Sequence, residues 1–264
     1  MKILHTADWH LGHQLHGHER RFEHDAFLDW LTDTIKTRQI DALLVAGDLF
    51  DTANPPASAW QQLYRFLARL RAEMPHLNMV LIGGNHDSPS KLDAPHELLR
   101  AFDLHLVGSI SRDGEGKLET DRLLVPLQDK EGKVAAWCAA VPFLRSSDLR
   151  VEPLEEGQDR LIEGVRQIYQ DVLAQGRTRC EPGQALIAMG HAYLAAGQLS
   201  ELSERRVLGG NQHALPADIF AAADYTALGH LHLAQSPAEG VHYSGSPLPL
   251  SLAEVNYNHQ VLEV

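Results

Sequence analysis

The sequence predicts an α/β fold in which two packed β-sheets form the centre and helices cover the outside. Three observations predict it. Short apolar runs of strand length recur along the chain, stretches with helical spacing separate the earliest of them, and five of the runs end on a residue able to bind a metal. Ile3-Leu4 leads into Asp8-Trp9-His10, Leu43-Leu44-Val45 into Gly47-Asp48, and Val80-Leu81-Ile82 into Asn85-His86-Asp87. Leu186-Ile187 leads into Gly190-His191, and Ala227-Leu228 into Gly229-His230-Leu231-His232. A lone histidine or aspartate at a strand end usually caps a turn or faces solvent. Five such junctions in series, carrying only Asp, His and Asn, make chance a poor explanation.

Each further element has its own signal. Phe22, Ala26, Trp30 and Leu31 recur at helical spacing up to about Thr37 and predict a helix with that set as its apolar stripe. A second helix is expected to begin at Asn54-Pro55-Pro56, with Asn54 as N-cap and proline in the first turn. Its stripe of Trp60, Leu63, Tyr64, Leu67 and Leu70 reads as core, or as core shared with a second copy. A shorter helix is expected over 95–102, a turn or loop over 111–116, and paired strands at Leu123-Leu124-Val125 and Val134-Ala135-Ala136-Trp137. Leu161, Val165, Ile168, Tyr169 and Val172 mark another helix. The stretch 243–251 holds too much Pro and Ser for a long central strand and reads as a loop beside the metals or a packing turn. With no repeat, linker or low-complexity tract, residues 1–264 are expected to form one layered domain.

Bulk properties narrow the setting. Two cysteines, Cys138 and Cys180, suit a reduced interior better than a disulfide framework. Met1-Lys2 runs directly into a strand-like segment and no apolar stretch can span a bilayer, so a cytoplasmic protein without a signal peptide is expected. The formal charge of −12 disfavours a strong unaided grip on a polyanion. Carboxylates that hold divalent ions remove part of that deficit. A local arginine cluster or a partner must supply the rest. Arg20-Arg21, Arg145 and Arg205-Arg206 are candidates for contacting phosphate, against the commoner role of a solvated surface charge.

The candidate residues have a shared chemistry. A mixed oxygen and nitrogen set suits manganese or another first-row divalent ion, and the lack of thiolates argues against structural zinc or an iron–sulfur cluster. Two ions about 3.5–4 Å apart can clamp both the attacking and the departing oxygens of a phosphoester and lower the pKa of water between them. Asp48 is the natural bridge, since a carboxylate offers one oxygen to each ion. Asp8 and His10, and likewise His230 and His232, lie two residues apart, and an extended strand end would point each pair one way. Asn85 offers a neutral carbonyl oxygen, and Gly47, Gly84, Gly190 and Gly229 leave room for tight turns. His86, next to Asn85, is placed to donate a proton to the leaving oxygen, with Asp87 orienting its ring. Asp51 is expected to reach the phosphate region or to cap the loop. His13, His16, His18 and His24 follow no ligand spacing and read as solvated loop residues, and His5 as a core residue.

In order, Asp8-x-His10, Gly47-Asp48, Gly84-Asn85-His86-Asp87, Gly190-His191 and Gly229-His230-x-His232 resemble the calcineurin-like metallophosphoesterase signature. The segments 5–12, 46–52, 142–145 and 243–251 are further similar to the SbcD family, the nuclease subunits of bacterial SbcC–SbcD repair complexes. The resemblance runs from Met1 to about Glu254. It implies that Asp8, His10, Asp48 and His232 hold one ion, that Asp48, Asn85, His191 and His230 hold the other, and that His86 assists the leaving group. It also implies two Mn²⁺ ions, exonuclease action on duplex DNA ends and endonuclease action on single strands or hairpins, and control by an SbcC-type ATPase. A role in double-strand break and hairpin processing and a homodimer formed through the 57–73 and 95–102 helices belong to the same implication. The DNA-capping and SbcC-binding regions of the family are not expected within residues 1–264. Asp51 agrees with the bacterial branch, whereas archaeal and eukaryotic relatives carry a histidine there. Two other readings compete: a small-substrate phosphodiesterase or phosphatase with the same site, and a non-cleaving DNA-end tether.

Overall fold

Strand and helix alternate through the first half of the chain because runs of consecutive apolar residues, buried on both faces, alternate with segments buried along one stripe. The computed structural model describes residues 1–150, 159–195, 197 and 214–264. Along the first half lie β1 (Ile3–Thr6), a small hairpin of β2 (Gln14–Leu15) and β3 (His18–Glu19), α1 (Arg21–Arg38) and β4 (Ala42–Ala46). They are followed by α2 (Ala57–Glu73), β5 (Asn78–Ile82), the short α3 (Pro89–Asp93) and α4 (His96–Arg100), and β6 (Leu104–Val107). The second half contains β7 (Leu124–Gln128), β8 (Val134–Ala140), α5 (Arg160–Arg179), β9 (Ala185–His191), β10 (Tyr225–Gly229), β11 (Gln235–Ala238), β12 (Val241–Tyr243) and β13 (Leu262–Glu263).

Two main sheets result. The first has the order β13-β1-β4-β5-β6, parallel except for β13, which runs antiparallel beside β1. The second has the order β11-β12-β10-β9-β8-β7, with a parallel centre and antiparallel outer strands. Alternate residues of the first sheet divide between two cores. Ile3, Ala42, Leu44, Ala46, Val80 and Ile82 pack toward the second sheet. Leu4, Leu43, Val45, Met79 and Leu81 pack with α1 and α2. Helix α5 covers the other face of the second sheet through Val165, Ile168, Tyr169, Val172 and Leu173. The two-sheet α/β layering agrees with the sequence reading. Cys138 and Cys180 are free thiols, and no helix among the described residues is long and apolar enough to cross a membrane.

Several local expectations are corrected. Helix α1 exists, but Phe22 and Trp30 lie on its outside at 83% and 50% exposure. Its buried face is His24, Phe27, Leu28, Leu31, Thr32 and Ile35. Asn54 does not cap α2; Pro56 holds that position, and the Asn54 side chain accepts from Lys91 Nζ at 2.6 Å. The 95–102 helix is a single turn or so, α4, set apart from α3 by a break at Ala94-Pro95.

His24 is also buried rather than solvated, with Nε2 3.0 Å from the Trp9 carbonyl, to which it donates. Burial pushes its pKa from 6.5 down to about 4. Between those values the unfolded chain binds the extra proton, so stability present above pH 6.5 is lost as pH falls toward 4, by up to about 3 kcal/mol. In EDTA, His24→Gln keeps a donor for Trp9 and removes the titration. Its melting temperature is expected to fall less steeply from pH 6.5 to 4 than that of the parent, and an equal slope would show that His24 is not held neutral.

Candidate metal centre

The carboxyl ends of β1, β4, β5, β9 and β10 meet at one seam between the sheets; His191 is the last residue of β9, and the turns that follow the other four carry the remaining candidate ligands. The backbone there is unusual. Of the seven non-glycine residues with positive φ among the described residues, four are candidate ligands: Asp8 at 55°, His10 at 48°, Asp48 at 47° and His230 at 100°. Left-handed backbone at such residues is costly and persists where surrounding contacts enforce it, commonly at functional sites. Neither Asp8 nor His10 is thus on an extended strand end, as the spacing predicted. Each is turned into the seam by its own left-handed kink, with Asp8 N bonded to Gly47 O at 3.0 Å and His10 N to Asp48 O at 3.0 Å.

Asp48 stands at the middle. Its Oδ2 lies 3.5 Å from His10 Nε2 on one side and 3.4 Å from His191 Nε2 on the other, and its Oδ1 accepts from His86 N at 2.9 Å. On the His10 side, Asp8, His10 and His232 bring ligand atoms within 4.8 Å of one another, and Asp8, Asp48 and His191 form an overlapping group. On the His191 side, Asn85 Oδ1 lies 2.9 Å from His191 Nε2 and 3.1 Å from His230 Nδ1. His86 approaches closely enough to group with His10 and Asp48. Its Nδ1 donates to Asp51 O at 2.7 Å, which leaves Nε2 free. Beside these residues opens a cleft of about 490 Å³ lined by His10, His13, Asp51, His86, His232 and Leu250.

Three properties fit this cluster to cations. His191 Nδ1 donates to Ala46 O at 2.9 Å, so a neutral ring turns its Nε2 lone pair onto the oxygens of Asn85 and Asp48. Acceptors facing each other at such distances require a proton or a cation between them. Burial disfavours a charge on His191, but Asp48 and Asp8 outweigh it and raise the pKa to about 9; without metal, a proton serves. His10 is buried with its Nδ1 facing Asp51 Oδ1 at 3.3 Å, and its Nε2, turned toward Asp48, has no hydrogen-bond partner among the described residues. Burial pushes Asp8 up to about 6, whereas His191, His86 and His10 overcome burial and hold Asp48 well below the usual carboxylate range. Close packing completes the fit. A Cβ at Gly84 would overlap Asp48 Oδ1, and one at Gly229 would overlap Ala46 O.

The supporting residues differ from expectation. Asp87 does not orient His86. Its carboxylate accepts from Leu49 N, Phe50 N and Gly84 N at 3.1, 3.0 and 2.8 Å, and so fixes the turns that carry Asp48 and Asn85. Arg20 is buried, with three of its five donors committed to Glu23 and Pro249 O, and so stands as a structural residue rather than an exposed phosphate contact. Arg145 donates to Asp87 O at 3.1 Å and lies 5.3 Å from the Phe143 ring centroid, beside the centre. Arg205 and Arg206 lie outside the described residues. Asp51 sits between His10 Nδ1 at 3.3 Å and His13 Nδ1 at 3.0 Å. Glu254, which sequence reasoning missed, places Oε1 2.8 Å from His232 Nδ1. A metal-binding histidine normally gives its second nitrogen to a carboxylate or carbonyl, so a search for such an acid was warranted, but 22 residues of separation hide which one.

Residues 1–234 match the calcineurin-like phosphoesterase family. The chain belongs to this family. Across 99% of its length it is 44% identical to the SbcD subunit of nuclease SbcCD from Rhodobacter capsulatus, of which it covers 65%. It is 36% identical across 96% of its length to the corresponding protein of Escherichia coli K12, covering 62%, and 35% identical across 99% to that of Bacillus subtilis, covering 65%. The chain therefore spans less than two thirds of the length of these relatives.

Close packing around this calcineurin-like centre makes Gly84→Ala a sharp test. The added methyl displaces Asp48, so Mn²⁺ retained after dialysis should fall at least about tenfold, in line with the loss of a supporting contact, while circular dichroism of the metal-free protein is unchanged. Full metal retention would show that Asp48 is not held where the turn at Gly84 presses on it.

Proposed function

We propose that this chain is the nuclease domain of an SbcD-type protein, a two-metal DNA phosphodiesterase that acts with an SbcC-type ATPase in the bacterial cytoplasm. Its expected work is exonuclease cutting at duplex ends and endonuclease cutting of single strands or hairpins, during double-strand break and hairpin processing. The observation that carries the reading is the position of Asp48 Oδ2 between two ligand sets, 3.5 Å from His10 and 3.4 Å from His191. Similarity to SbcD proteins along nearly the whole chain supports DNA as the substrate over a small phosphoester. The exposed Tyr64, Leu98 and Phe102 on and beside α2 and α4 suit a homodimer through those helices.

Asp8, His10, Asp48 and His232 would hold one ion, and Asp48, Asn85, His191 and His230 the other. The donor set of carboxylate, amide and imidazole suits Mn²⁺. When bound, the pair supplies Lewis-acid polarisation of the phosphodiester and makes hydroxide available from water near neutral pH. The protein supplies orientation and proton transfer. His86 is fixed by Asp51 O through Nδ1, so its protonated form presents Nε2–H to the cleft and gives that proton to the departing oxygen. Arg145, anchored on Asp87 O, would take a phosphate oxygen, and Asp87 keeps both ligand turns in place.

End-labelled duplex and single-stranded oligonucleotides should be cut in Mn²⁺, and cutting should stop with EDTA and in Asp48→Ala. His86→Ala should keep both ions and lose about 10²–10⁴-fold in rate, the usual worth of a positioned acid. Faster turnover of a nitrophenyl phosphodiester than of DNA would favour the small-substrate enzyme, and gel shifts without cleavage would favour a tether. Loss of metal with His86→Ala would overturn the assignment of that histidine.

A further inference from the structure

Residues 244–259 follow the stretch that matches the phosphoesterase family, yet they close directly over one edge of the centre. Glu254 is fully buried there. Its Oε1 takes the Nδ1 proton of His232 at 2.8 Å, and its Oε2 accepts from Leu250 N at 2.7 Å. The Leu250 carbonyl in turn lies 3.0 Å from His13 Nε2, and His13 Nδ1 lies 3.0 Å from Asp51 Oδ1, which reaches to 3.3 Å from His10 Nδ1. One belt of contacts thus joins the outer nitrogen of His232 to the outer nitrogen of His10. The segment is itself pinned to the fold. Ser246 N bonds to His232 O at 3.1 Å, His259 bonds to Ser246 O at 2.9 Å and Glu254 O at 3.2 Å, and Arg20 donates to Pro249 O.

The other half of the centre is oriented from elsewhere. His191 is held by Ala46 O at the end of β4, and Asn85 sits in the turn braced by Asp87. Neither depends on the belt.

We propose that Glu254 is a positioning residue for one ion only, the ion shared by Asp8, His10 and His232, and that segment 244–259 builds that half of the centre. The carboxylate fixes the His232 tautomer, so that Nε2 keeps its lone pair and points to the ligand group with Asp8 and His10. Without a carboxylate at 254 the ring loses the acceptor that fixes Nδ1–H. The ion held through Asn85, His191 and His230 keeps its supports. The inference rests on the two-metal reading but not on the identity of the substrate.

The test is metal stoichiometry on the whole chain. Mn²⁺ bound per chain is measured by equilibrium dialysis, and electron paramagnetic resonance separates spin-coupled pairs from isolated ions. The parent should bind two ions as a coupled pair. Glu254→Gln, which preserves side-chain shape, should bind one isolated Mn²⁺ under the same conditions, its second site weakened about 10–100-fold. Glu254→Asp should recover part of the pair, a rescue that simple loss of packing does not give. His232→Ala should reproduce the one-ion state, and adding Glu254→Gln to it should change nothing further, because the two act as one unit. Equal loss of both ions in Glu254→Gln, retention of both at parental affinity, or additive loss in the double variant would each overturn the proposal. Should Glu254→Gln fail to fold in EDTA melts, Glu254→Asp is read instead: partial weakening of one ion alone supports the proposal, and equal weakening of both or parental retention of both overturns it. A parent that binds fewer than two ions would instead overturn the two-metal reading, and the inference with it.

Discussion

The ring of His191 crosses from one sheet to the other. Its Nδ1 donates to Ala46 O, the last carbonyl of β4, while its Nε2 stays beside Asp48 and Asn85. Most of the site depends on that approach. Two sheets can meet so closely only where side chains are small, and the seam is built from Ala7, Ala46 and Gly229, where one added Cβ would overlap the Ala46 carbonyl. Larger residues would hold the sheets at their ordinary separation of about 10 Å. The strand ends would then carry the same ligands with no shared carboxylate between them.

Bringing these groups together has a steep electrostatic cost. Asp8, Asp48, Asp87, His10, His191 and His232 are all buried. Unpaired charges in such a setting are strongly unfavourable unless hydrogen bonds or counter-ions compensate them. Three backbone amides do this for Asp87, but burial and the charge of Asp48 still raise it to about 6. Among the described residues Asp8 accepts hydrogen bonds from the amide of His230 alone, and His10 Nε2 has no hydrogen-bond partner. The protein has therefore satisfied the groups that shape the turns and left incomplete the groups that face inward. Left-handed backbone at Asp8, His10, Asp48 and His230 adds strain at the same points. Both costs are of the kind that bound divalent cations would offset, which links the folding problem to the chemistry of the site.

The ligand residues were legible because a strand must stop somewhere, and five strands stopping on metal-binding side chains is a pattern along the sequence itself. How those side chains reach the site was not. Extended geometry was the simplest way to aim Asp8 and His10 together, and the chain uses two kinked residues instead. Helix α1 carries two apolar stripes, Phe22-Ala26-Trp30 and Phe27-Leu31-Ile35, and periodicity alone cannot say which faces the core. Asp87 followed His86 so closely that a contact between them was the natural expectation. The left-over amides of Leu49, Phe50 and Gly84 took its carboxylate, since buried amides outrank a half-exposed ring that already has Asp51 O. Glu254 was invisible for the opposite reason: its partnership with His232 exists only after the chain has folded back.

Charge and grip remain to be reconciled. With a formal charge of −12, the surface does not attract a polyanion as a whole, and the arginine nearest the first loop, Arg20, is committed to Glu23 and Pro249. If the site acts on a phosphodiester as proposed, what it would offer a phosphate is local: Arg145 beside Asp87, and the cations that the buried carboxylates and histidines are suited to hold. Such a site stabilises a phosphodiester once it is in place, but it contributes little long-range steering. Chemistry and capture are then separable properties of this fold. On the proposed reading the ligand turns would determine the rate on bound substrate, and affinity for a long nucleic acid would come from surfaces that carry their own positive charge.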